Sequence, residues 1–302
     1  MAQAELGSRH TAGALPAVTV SLSGGGAKCA AQAGALEVLE EAGVEVAAMV
    51  GVSAGGLVAV LHALGWEPHA IRDFVAEVHL LDVWEVDFAH GRLLSTDKTR
   101  ARLGSAVGDR TFADLALPVS VVAVDLDAGQ EVYISSGRLD DALLATMAIP
   151  GLFAPLCLEG RRLVDGALLN PLPLDVAQRW GRPVVALDVL AGLPPPGTSP
   201  QFFEAQGPLG YVAGLGQRLG LMCLLDLANR AVLITTGRLR DYSLRRFPPA
   251  VLIQPDVASV GMFAFDLAEH AYAQGQLAAR AALPRLAALS AAEVPTSASR
   301  SG

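Results

Sequence analysis

The stretch AVTVSLSGGGAKCAAQAGALEVLEEAG, Ala17 to Gly43, decides the reading of the fold. Its first part, Ala17–Leu22, is rich in β-branched residues and interrupted only by the small polar Thr19 and Ser21, as expected of a buried strand. Three glycines follow at Gly24, Gly25 and Gly26, with Lys28 behind them. From Lys28 to Ala42 the chain changes to a helical period, with small and aliphatic residues on one side and Glu37, Glu40 and Glu41 on the other. Gly43 is placed to end that helix. A strand, a glycine loop and a helix in succession make a loop suited to an anion: a bound phosphate, or a charge that exists only during a reaction.

Further along, Val46–Val50 reads as a second strand and Ala54–Leu64 as a helix, with the sharp turn GVSAGG between them. This alternation predicts an α/β fold with a parallel sheet. Val119–Val124, apolar apart from Ser120, suits a central strand, with Glu131–Ser135 pairing to it across a turn. Pro183–Val189 reads as another interior strand and Val251–Ile253 as a last short one. Residues 1–16 are expected to be a flexible segment, 17–289 a single domain, and 290–302 a flexible Ala/Ser-rich tail. Gly192–Gly210, rich in proline and glycine, is expected to be a long loop covering a site.

At 302 residues, 52% hydrophobic and 17% charged, the chain is strongly apolar and can bury a sizeable core. Its formal net charge of −8 speaks against nucleic acid as a partner but leaves lipid open. The opening residues lack an apolar core of the secretory type. The most apolar later stretch, Leu219–Thr235, is interrupted by Asp226, Asn229 and Arg230, which predicts a peripheral or buried helix instead of a membrane span. Cys29, Cys157 and Cys223 are scattered, with neither metal nor disulfide spacing, as expected of buried, reduced thiols in the cytoplasm.

Gly51-Val52-Ser53-Ala54-Gly55 has the G-x-S-x-G pattern of a nucleophile elbow, with a strand before it and a helix after it. A serine nucleophile needs a base. Of the six histidines, His10, His62, His69, His79, His90 and His270, only His270 comes late enough for a hydrolase triad, and it falls within a helical pattern. The other candidate base is Asp165, in Leu163-Val164-Asp165-Gly166-Ala167, where two small residues leave room beside a carboxylate. An aspartate placed against a serine hydroxyl can accept its proton directly. Asp125 and Asp188, near strand ends, read as structural. Leu152, Phe153, Leu156 and the pair Phe202-Phe203 could line an acyl channel or pack a core.

Together, SGGGAK, GVSAGG and VDGA, with LLSTDKTRARL, GDRTFADLALPVSVVAVDLDAGQEV, AIPGLFAP and LVDGALLNPLPLDVA in that order, resemble the patatin-like phospholipase family over about Val18–Leu190. The resemblance implies a three-layer α/β/α sandwich around a largely parallel sheet. It also implies a Ser53–Asp165 dyad without a catalytic histidine, and an oxyanion hole from the amides of Gly24, Gly25 and Gly26, with that of Ala54 as an additional donor. Lys28 keeps the positive charge that usually follows the glycines, to balance an oxyanion or bind a lipid phosphate. Cys29 stands where the family commonly has glycine, and Asp165-Gly166-Ala167 replaces the more frequent Asp-Gly-Gly. No metal or cofactor is implied. The expected substrate is a lipid or lipid-like ester, reached in the cytoplasm or by peripheral contact at the inner membrane surface. A thioesterase or general carboxylesterase would use the same dyad. A nucleotide-binding module fits poorly, because both the G-x-G-x-x-G and the Walker spacings fail.

Overall fold

The computed structural model describes residues 15–78, 84–87, 92–191 and 221–292. Among the described residues, eight strands form the main sheet: β1 (Val18–Leu22), β2 (Val46–Val52), β5 (Val119–Asp125), β6 (Gln130–Ile134), β7 (Leu156–Leu158), β8 (Arg161–Asp165), β9 (Val184–Leu187) and β10 (Val251–Ile253). A separate antiparallel pair consists of β3 (Trp84–Asp87) and β4 (Arg92–Leu94). The main sheet runs β10-β9-β1-β2-β5-β8-β7, with β6 also paired to β5. From β10 to β5 every neighbouring pair is parallel, whereas β6, β8 and β7 join antiparallel at one end.

Side chains alternate across the pleat, so the two faces of the sheet carry separate cores. On one face Val18, Val20, Leu22, Met49, Val121, Val185 and Leu187 are buried beneath helices α1 (Ala30–Glu41), α2 (Ala54–Ala63), α3 (Pro68–Ala76), α4 (Thr96–Val107), α5 (Leu139–Thr146) and α8 (Ala268–Ala292). On the other, Val50, Val52, Val122, Val184 and Ala186 meet α6 (Leu174–Gln178) and the carboxyl-terminal part of α7 (Leu221–Arg246). The chain is thus an α/β/α sandwich with one thick and one thin helical layer.

Three expectations need correction. The helix predicted from Lys28 begins at Ala30, because Gly26–Cys29 form a 3-10 turn pinned by the Ala27 amide on the Met262 carbonyl (2.8 Å). It is also buried nearly all round, since α8 lies on its outer side. A Cβ on Gly34 would collide with the Tyr272 carbonyl, and one on Gly275 with that of Ala31, so glycine permits this close crossing. Finally, Cys157 is exposed on the edge strand β7, although Cys29 is buried as expected. The side chain of Cys223 falls outside the described residues, as do His10, His79, His90, Phe202-Phe203, the Gly192–Gly210 segment and residues 293–302. No helix among the described residues is long and apolar enough to cross a membrane.

Candidate active site

The site arises where two strands end against the same neighbour. β6 covers one edge of β5 over Val121–Asp125, which leaves the other edge to both β2 and β8. β2 runs parallel to β5 and ends with Val52 opposite Val122; β8 arrives antiparallel and ends with Asp165 opposite Ala123. The strands therefore meet end to end at consecutive positions of β5. The residue leaving β2, Ser53, is brought against the last residue of β8.

Ser53 turns out of the sheet at φ 54°, ψ −130°, a left-handed conformation costly for a residue with a Cβ. Its neighbours allow the bend: a Cβ on Gly51 would strike the Gly55 carbonyl, and one on Gly55 the Ser23 carbonyl. The Ser53 Oγ donates to Asp165 Oδ2 at 2.6 Å. The other carboxylate oxygen accepts the Ala167 amide at 2.8 Å, and the Asp165 amide donates to the Ala148 carbonyl at 3.0 Å. Both residues are buried. Burial pushes the Asp165 carboxyl up to about 6, against the opposing pull of the bonds from Ser53 and Ala167. That places it where a carboxylate can take and return a proton near neutral pH. His62, His69 and His270, the described histidines, make no hydrogen bond to Ser53; His69 and His270 are exposed, and His62 lies 3.5 Å from the Glu40 carboxylate.

The glycine loop closes the site from β1. A Cβ on Gly24 would sit 3.4 Å from that of Ser53, so the absent side chain keeps space open beside the hydroxyl. The amide of Gly24 is already used, donating to the Pro171 carbonyl at 3.2 Å. The amides of Gly25, Gly26 and Ala54 have no hydrogen-bond partner among the described residues. Cys29, the departure from the family pattern, has ordinary right-handed backbone angles (φ −61°, ψ −20°), so its Cβ fits without strain. Burial pushes its thiol up to about 12, which keeps it neutral.

Lys28 is half-buried; burial pulls its ammonium below the usual lysine range, and Asp188 partly restores it. Asp188, wholly buried, is held by Arg240 Nε (2.7 Å), Gln254 Nε2 (2.9 Å) and the Leu190 amide (3.0 Å). Asp125 accepts from the amides of Asp127 and Ala128 in its own turn. Neither aspartate hydrogen-bonds to Ser53 or Asp165 among the described residues. Phe153 and Leu156 line a small apolar cleft with Thr96, Met147 and Ala148, in which Leu152 takes no part.

Sequence reasoning missed the residues that hold this arrangement. Thr146 accepts the Ser53 amide at 2.8 Å. Ser23 Oγ accepts the Val189 amide at 3.0 Å, and Gln32 Nε2 donates to the Ser23 carbonyl at 2.8 Å. Their only signal was a polar residue placed within an apolar run.

The model of the family described as patatin-like phospholipase matches residues 20–177, more than half of the chain. The chain belongs to the patatin-like phospholipase family. The patatin-like match spans β1 through α6, and so includes the glycine loop, the elbow and Asp165. Among similar proteins, an uncharacterized NTE family protein of Mycobacterium bovis is 32% identical over 165 residues, 53% of this chain and 45% of that one. Another, from Mycobacterium tuberculosis, is 29% identical over 276 residues, 87% of this chain and 46% of its own. Patatin-like phospholipase domain-containing protein 7 of Rattus norvegicus is 30% identical over 184 residues, 57% of this chain and 14% of its own. The matches thus span less than half the length of these relatives. Of solved structures, VipD from Legionella pneumophila is similar with a TM-score of 0.41 and 17% identity, covering 59% of this chain and 51% of that one.

Proposed function

We propose that residues 17–289 form a single acyl-hydrolase domain that cleaves carboxylic esters of lipid or lipid-like substrates through Ser53 and Asp165. The observation that carries this reading is the 2.6 Å bond from Ser53 Oγ to Asp165 Oδ2 at a left-handed elbow in a member of the patatin-like phospholipase family. As Ser53 Oγ attacks the ester carbonyl, its proton passes to Asp165. The carbonyl oxygen becomes an oxyanion held by the free amides of Gly25, Gly26 and Ala54; Gly24 contributes space in place of a hydrogen bond. The carbon–oxygen bond breaks, and the leaving alkoxide takes the proton from Asp165. Water then gives a proton to Asp165 and its oxygen to the acyl carbon, and the acid departs as Ser53 regains its proton. Loss of one oxyanion donor costs about two to three powers of ten in rate. Lys28 adds positive charge near the glycine loop for an oxyanion or a phosphate-bearing head group, and peripheral contact with a membrane brings the substrate.

The test is labelling with a fluorophosphonate, mapped by mass spectrometry, beside turnover of a panel of phospholipid, thioester and p-nitrophenyl esters. The expected result is label on Ser53, absent in Ser53→Ala, with turnover of lipid esters. A folded wild-type protein that takes no label would overturn the reading.

A further inference from the structure

We infer that Thr146 is the positioning residue of the dyad: its side-chain hydroxyl splices the β2–β5 ladder where β2 breaks off and so fixes Ser53 at the elbow. The inference rests on the dyad reading above and adds to it the group that aims the nucleophile.

A parallel ladder loses its next rung when a strand bends away, leaving an amide on one side and a carbonyl on the other to be satisfied. Here the lost rung lies between Ser53 and Val122, just past the last pair, Val52 and Val122. Thr146 fills the gap with one oxygen. It accepts the Ser53 amide at 2.8 Å and donates its proton to the Val122 carbonyl at 2.5 Å. The residue is wholly buried, so water does not compete for either bond. Its γ-methyl lies where a Cβ on Gly56 would come within 3.2 Å, which wedges the side chain between the sheet and the first turn of α2. A β-branched side chain held on both arms has one rotamer available.

Two residues later, the Ala148 carbonyl takes the Asp165 amide at 3.0 Å. The short stretch Thr146–Ala148, at the end of α5, therefore touches the backbone of both dyad residues. It acts as a gauge that sets the separation of hydroxyl and carboxylate. The splice has a second consequence. Because the amide of Ser53 is consumed by Thr146, the donor that the elbow offers to an oxyanion is that of Ala54.

The experiment compares Thr146→Ser, which keeps the hydroxyl, with Thr146→Val, which keeps the shape and removes it. The probes are fluorophosphonate labelling of Ser53 and turnover of a p-nitrophenyl ester, both well below the thermal midpoints. Thr146→Ser is expected to stay within about threefold of wild type. Thr146→Val is expected to lose roughly one to two powers of ten in kcat and in labelling rate, with KM within about twofold, as for a displaced nucleophile. Its kcat/KM profile should also move to higher pH, since a looser bond from Ser53 removes a pull that keeps the Asp165 carboxyl down. A merely structural role lowers the thermal midpoint and leaves these readouts in place. Folded Thr146→Val with wild-type kcat overturns the proposal. So does a Val variant that fails to fold, if Thr146→Ala folds and turns over normally or also fails to fold. Absence of label on the wild type overturns instead the dyad reading, and this inference with it.

Discussion

Replacing Asp165 by asparagine is expected to abolish turnover and to stabilise the protein at alkaline pH. The side chain is buried, and its carboxyl is raised from the usual aspartate value of 3.8 to about 6, mainly by desolvation. The folded state therefore holds this proton more tightly than the unfolded chain does. That stability is fully present below pH 3.8 and is lost as pH rises through about 6. The difference of about two pH units corresponds to roughly 3 kcal/mol, the cost of keeping an ionised carboxylate in this position. Asparagine has almost the same shape and carries no charge at any pH. Its oxygen can accept from Ala167, and its amide can donate to Ser53, so both contacts of the carboxylate persist. The stability difference between Asp165→Asn and wild type should thus swing by roughly 2.5 kcal/mol in favour of the variant between pH 4 and pH 8, the unfolded carboxyl being already half ionised at the lower end. Denaturant midpoints of the two proteins, measured in parallel across that range, give the swing directly. The wild-type kcat/KM should rise through about pH 6 and level off above it, because only the ionised form accepts the serine proton. A stability difference that does not change with pH would refute the desolvation argument, even if activity were lost.

Two further changes test the frame around the site. Arg240→Met removes the cation beside the wholly buried Asp188, and an uncompensated charge should cost about 3–5 kcal/mol, with much of it recovered when Asp188→Asn is added; thermal midpoints of the single and double variants decide this. Gly26→Ala places a methyl against the Met262 carbonyl at φ 58°, whereas Gly43→Ala, at φ 73°, meets only open space. The first should lose soluble yield and turnover together, and the second should cost only about 1–2 kcal/mol, seen as a modest drop in midpoint.

From the sequence alone the parallel strands β1, β2, β5, β9 and β10, with α1 and α2, were legible in their order, whereas β3, β4, β7 and the helices α3 to α6 were not. Largely apolar runs such as Val119–Val124 are long enough to be interior strands, and glycines at Gly25, Gly26, Gly51 and Gly55 mark where a Cβ has no space. These are local properties, set by side-chain period and sterics within a few residues. The start of α1 escaped this reading because the Met262 carbonyl, far along the chain, tightens Gly26–Cys29 into a 3-10 turn. Nor could the period of α1 show that α8 would cross it at Ala31 and Gly34. The site itself was legible as a pair of candidates, Ser53 and Asp165, separated by 112 positions. Only the tertiary structure decides that they touch, because it turns on β2 and β8 approaching one edge of β5 from opposite directions and stopping at Val122 and Ala123. Thr146 belongs wholly to that second level. Its hydroxyl has no pattern of its own in the sequence, and its part follows from a gap in a hydrogen-bond ladder that exists only once the three strands are assembled.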